Sequence, residues 1–193
     1  MTVTENVATD ATDEVVWPSP RVLVLGLGNP LLGDDGAGLR VLVLGLGNPL
    51  LGDDGAGLRM LEGIQAQGPW PANVRLVDGG TWGMSLLPDI MDTDRLLVLD
   101  AVRTGLQPGA VVRGEDDAVP RWYSHPVSPH QVDLREVLGA AELLGALPSP
   151  LVVVGIEPES TDDLYVGLTP AVEAAIEKAV AEGVRVLRML VED

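Results

Sequence analysis

The sequence predicts a three-layer α/β fold, a mostly parallel central sheet with helices on both faces, and three observations lead there. Short continuous apolar runs of the kind that fill strands buried on both sides occur at residues 40–48, 95–102 and 151–158. Between them lie stretches with apolar residues at helical spacing, as at Leu58, Leu61 and Ile64. Glycine and proline punctuate the junctions. Strands alternating with helices build a parallel sheet, because each helical crossover returns the chain to the end of the sheet where the previous strand began. With 193 residues, 46% of them hydrophobic, the chain can bury the core of one such domain.

Residues 1–20 read as a disordered acidic tail, with Glu5, Asp10, Asp13 and Glu14 and no basic residue before Arg21. Residues 21–39, "RVLVLGLGNPLLGDDGAGL", then recur unchanged as residues 40–58. Two identical copies do not make a solenoid, so 21–39 reads as a surplus copy and 40–193 as the working domain. The choice of copy follows from what comes next. The second copy runs into "LRMLEGIQAQ", a good helix, whereas the first runs into "LRVLVLGLGNPLL". That continuation carries Pro49, and an interior proline costs a helix about 3 kcal/mol.

Further along, 73–81 predicts a strand ending in a glycine turn, and "WGMSLLPDIMD" a short helix interrupted near Pro88. Residues 95–102 predict a fully buried strand, with "GAVVRGEDD" beside it as a hairpin arm. After a loop over 118–130, a helix over 131–146 presents Val132, Leu134, Val137, Leu138, Ala141 and Leu144 on one face. Residues 151–158 give another buried strand, and 170–191 a long helix opened by Thr169-Pro170, with the proline in its first turn.

Composition narrows the chemistry. The formal net charge is −17, which repels phosphate backbones and anionic lipid, so neither nucleic acid nor a membrane surface suits as partner. There are no cysteines, which removes disulfides, thiolate metal ligands and cysteine nucleophiles together. No signal peptide or spanning segment is legible, and the expectation is a cytoplasmic monomer.

Ligands of a parallel sheet bind beyond the carboxyl ends of its strands. The candidates there are Asp53 and Asp54 (with copies Asp34 and Asp35), Asp78, Asp100 and His130. The glycine loop lacks both G-x-G-x-x-G and a P-loop lysine. It ends in Asp-Asp-Gly, and two carboxylates at a helix start repel the phosphate that would otherwise sit there. A divalent cation suits the same oxygen and imidazole donors. Plainer readings stand beside this one: Asp53 and Asp54 as helix-dipole partners, His130 as a cap and His125 as a structural or solvent-facing residue. Trp82 and Met84 read as packing residues, and the acidic runs Glu115–Asp117 and Asp162–Asp163 as solvated loops. No G-x-S-x-G elbow appears, so the residues alone reach only an acidic metal or ligand site.

Taken in order, "LGLGNPLLGDDGAGLR", "LVDGGTWGMSLL", "LLVLDAV", "SPHQVDLREVL", "LVVVGIEPES" and "GLTPAVEAAIE" resemble the nickel-iron hydrogenase maturation endopeptidases. The resemblance implies an α/β fold with a twisted, mainly parallel sheet. It also implies an aspartyl-type endopeptidase that trims the C-terminal extension of a hydrogenase large-subunit precursor after nickel insertion. By motif, the metal-binding and catalytic residues fall on Asp54, Asp100 and His130, with Asp53 and Asp78 in support. The nickel is then the one carried by the large subunit. Two other readings remain at this point: a precursor-binding chaperone that does not cut, and a dinucleotide-binding α/β enzyme.

Overall fold

The computed structural model describes residues 39–116, 119, 129–162 and 164–192, with the backbone alone for 129–133. The tail 1–20 and nearly all of the first repeat copy lie outside the described residues.

β1 (Val41–Leu46) is the apolar run of the second copy, and every residue in it is buried. Its alternation sorts the core. Val41 and Val43 enter one apolar cluster, Leu42, Leu44 and Leu46 the other, so the strand is covered on both faces. A 3₁₀ turn (Gly52–Gly55) leads into α1 (Ala56–Ala66). β2 (Val74–Gly80) follows, then a 3₁₀ turn (Gly83–Leu86) continuous with α2 (Leu87–Met91). Pro88 lies in the first turn of α2, where its missing N–H costs nothing, so it opens the helix and does not interrupt it. β3 (Arg95–Ala101), β4 (Val111–Glu115), α3 (Pro129–Leu143), β5 (Leu151–Ile156) and α4 (Pro170–Glu192) complete the order.

The sheet order is β2-β1-β3-β5-β4, parallel except for β4. The hairpin arm expected beside β3 pairs antiparallel with β5 instead. Burial explains the exchange: β3 and β5 are buried throughout and belong in the middle, while β4 is mostly half-buried and suits an edge. α1 and α4 cover one face through Met60, Ile64, Ala179, Val186 and Leu187. α2 and α3 cover the other through Ile90, Leu134, Val137 and Ala141. The α3 face matches expectation except at Leu144, which falls beyond the helix end and is exposed, and Val132, whose side chain lies outside the described residues. On α1, Met60 takes the buried place expected for Leu58, which is only half-buried.

The packing of α1 also bears on the repeat. If the first copy formed the strand and turn, the chain after it would put Leu44 at the place of Gly63 and Gly45 at the place of Ile64. A Cβ at Gly63 already lies 2.4 Å from Val180 Cγ2 on α4, and Ile64 is fully buried. That threading brings an overpacked leucine and a cavity together at the α1–α4 contact, two of the costliest core errors.

Candidate active site

The carboxyl ends of β1 and β3 meet at the start of α1. Against β2 the register of β1 shifts between Gly45 and Leu46, a bulge at the point where the strand leaves the sheet. The chain then turns at Gly47, which has a φ of 122° and where a Cβ would lie 1.8 Å from the carbonyl oxygen of Asp54. Only glycine serves there, because the Asp53–Asp54 turn folds straight back over the strand end. The Asn48 N–H donates to Asp54 Oδ2 at 2.8 Å, and Asn48 Oδ1 accepts from Leu50 N–H at 3.0 Å. Asp54 is fully buried.

A second glycine seats the helix. At Gly57 a Cβ would come within 2.3 Å of the carbonyl oxygens of both Leu46 and Leu99, so the first turn of α1 rests on the ends of β1 and β3. Asp100 follows Leu99 directly, is fully buried, and accepts from the Ala101 N–H at 2.8 Å. Asp100 thus lies at the carboxyl end of β3, and Asp54 in the turn that follows its parallel neighbour β1, where Gly45 pairs with Leu99. His130 is the second residue of α3; its side chain lies outside the described residues, as do His125, Asp34 and Asp35. Among the described residues no three His, Asp or Glu side chains form a metal cluster.

Asp53 has different work from its neighbour. Its carboxyl group accepts from the backbone N–H groups of Glu159 at 2.9 Å, Ser160 at 3.2 Å and Thr169 at 2.7 Å. The Thr169 hydroxyl adds a fourth bond at 2.9 Å. Fully buried, Asp53 ties the segment between β5 and α4 to the turn that carries Asp54. Asp78 lies on the edge strand β2 opposite Gly45 and is solvent-exposed, one strand further out than Asp54.

One buried acid escaped the sequence reading. Glu157, immediately after β5, accepts from the Thr104 N–H at 2.6 Å and hydroxyl at 2.7 Å, and from the N–H groups of Gly105 and Leu106 at 3.4 and 3.3 Å. It pins the loop that follows Asp100. Its signal, an acid closing a buried strand, is the one that nominated Asp100. Trp82 and Met84, expected as packing residues, are exposed instead. In the acidic run Glu115–Asp117, Glu115 ends β4 and pairs with Arg113, and Asp116 accepts from the Leu151 N–H at 2.9 Å. Asp117 and Asp163 lie outside the described residues, and Asp162 is exposed.

Residues 58–186 match the sequence family described as Hydrogenase maturation protease. The chain belongs to that family. It is 43% identical over 169 residues to the hydrogenase expression/formation protein HupD of Rhodobacter capsulatus, covering 87% of this chain and 71% of that one. To the hydrogenase 2 maturation protease of Escherichia coli strain K12 it is 40% identical over 169 residues, covering 87% and 91%. The solved structure of the E. coli hydrogenase maturating endopeptidase HybD superposes with a TM-score of 0.74 at 40% identity, over 78% of this chain and 93% of that one. This maturation protease is therefore an endopeptidase on an α/β fold, and the dinucleotide and non-cleaving readings give way. No helix among its described residues is long and apolar enough to cross a membrane.

Proposed function

We propose that this protease removes the C-terminal extension of a nickel-iron hydrogenase large-subunit precursor once nickel has been inserted, and that Asp54, Asp100 and His130 meet that nickel. The observation that carries the reading is the pair of buried carboxyl groups at the neighbouring ends of β1 and β3, in a chain of the maturation protease family. Carboxylate oxygens with an imidazole, in a chain without cysteine, suit a divalent ion. Such a set is incomplete alone and closes a coordination shell around a metal that another protein already holds. When bound, the substrate's nickel supplies Lewis-acid polarisation of the scissile carbonyl. Asp54 and Asp100 fix its position, and one of the two carboxylates takes the proton of the attacking water.

The packing of α1 supports Asp54 over its copy Asp35, because only the continuation of the second copy fits against α4. The domain is accordingly read as residues 40–193, with 21–39 as a surplus segment and the molecule as a cytoplasmic monomer. Incubation of purified protein with nickel-loaded precursor, read by mass spectrometry, tests the function: a large subunit shortened at its C-terminus is the expected product. An unchanged mass would refute it.

A further inference from the structure

Leu50, Leu164, Tyr165 and Val166 are 52%, 85%, 55% and 74% exposed, a dense apolar group on a chain of net charge −17. Leu164, Tyr165 and Val166 are consecutive, and the backbone brings Leu50 beside them from far away in sequence. The Tyr165 N–H donates to the Leu50 carbonyl at 3.0 Å, the Gly52 N–H donates to the Tyr165 carbonyl at 2.8 Å, and Leu51 and Tyr165 form a parallel bridge. Next to them a cavity of about 340 Å³ is lined by Pro49, Gly52, Gly55, Val166 and Leu168, with the Arg59–Glu173 ion pair also on its wall. Gly52 and Gly55 bracket Asp53 and Asp54 in the 3₁₀ turn.

We propose that this rim and its cavity form the docking surface for the large-subunit precursor, the cavity taking an apolar side chain from the peptide close to the scissile bond. The inference rests on the function proposed above and names where that substrate is held. Continuity with the site selects the occupant: whatever fills the cavity touches residues directly adjoining Asp53 and Asp54. Apolar patches with an aromatic residue at the rim of a cleft serve protein recognition. The net charge of −17 turns the patch away from anionic membranes. Asp53 gives docking a mechanical consequence. Its four bonds to Glu159, Ser160 and Thr169 bind the docking segment to the turn of Asp54, so a seated peptide is held in fixed register with the metal-facing carboxyl group.

The test is the double variant Leu164→Ser/Val166→Ser in the full chain, with Leu50→Ser as an independent second variant. The side chains are exposed, so melting temperatures should match the wild type. Processing of nickel-loaded precursor should show KM raised about tenfold or more with kcat within about twofold, the signature of lost ground-state binding. An unchanged KM in variants of a wild type that does cut overturns the docking surface and leaves the proposed function standing. A wild type that sediments as a dimer, and variants that are monomers with unchanged KM, overturn it too, by assigning the patch to self-association. If the wild type does not cut, the proposed function falls, and calorimetry of precursor binding decides the surface. Affinity weakened by the double variant supports it, and equal affinity overturns it.

Discussion

Asp53 and Asp54 are adjacent and equally buried, and they accept from different partners. The carboxyl group of Asp53 is saturated by four donors from residues more than a hundred positions away, while Asp54 holds the Asn48 N–H beside the end of β1. Replacing Asp53 by alanine leaves buried N–H groups without their acceptor, a loss of about 2–4 kcal/mol of stability. Thermal denaturation checks it, and the melting temperature should fall by many degrees. Asp54→Asn retains an oxygen that can accept from Asn48, so this variant should fold with little loss and still fail to process precursor, whereas Asp35→Asn should process normally. The end-of-strand rule nominates Asp53, Asp54, Asp78, Asp100 and His130 from the sequence alone, and only the family resemblance singles out Asp54, Asp100 and His130 among them. The rule could not separate strut from site at Asp53, because the donors that decide the matter come from the far end of the chain. Glu157 carries the same end-of-strand signal as Asp100, but its work as a strut was hidden because its partners lie about fifty residues upstream.

At the scale of elements, strands and helices were legible because burial wrote them in. β1, β3 and β5 are continuous apolar runs and nothing else fits them. What misled were local signals with a tertiary answer: Pro88 opens a helix, and β4 crosses to β5 because β1 and β5 already occupy both edges of β3. The repeat is an element-scale question as well. Gly63 and Ile64 fit α1 against α4 only with the continuation of the second copy, so we predict that residues 21–39 are dispensable. A variant lacking 21–39 should keep the wild-type melting temperature and processing rate, and a large fall in either would show that the first copy has structural work. At the far end of the sheet, Asp94 secures the start of β1. Its carboxyl group is held below the usual carboxylate range by the Arg40 N–H at 2.7 Å and then by the Arg40 side chain. A depressed pKa contributes stability above the unfolded aspartate value near ~4, and that contribution disappears as pH falls through the folded value. The pair is largely exposed, so the gain is on the order of tenths of a kcal/mol. Urea midpoints of wild type and Asp94→Asn should therefore differ slightly at pH 7 and converge as pH falls below about 4.

For the whole molecule, one sheet organises both stability and chemistry. Four parallel strands bring the loops after β1, β2, β3 and β5 to one end, and Gly57 lets α1 settle on the ends of β1 and β3, next to the buried Asp54 and Asp100 in sequence. The family was legible in the order of six motifs, none sufficient alone, and the α/β architecture in the alternation of apolar runs. The exposed rim of Leu50, Leu164, Tyr165 and Val166 was not, since exposure of an apolar residue is a property of the folded surface. In the function we propose, this protease reads its substrate's nickel through the Asp54 turn before it cuts. Intact-mass analysis of nickel-loaded and nickel-free precursor, each incubated with wild type, Asp54→Asn and Asp35→Asn, tests it most directly. The expected result is a shortened large subunit only with nickel-loaded precursor, and only with wild type and Asp35→Asn. Cleavage of nickel-free precursor, or wild-type cleavage by Asp54→Asn, would contradict it.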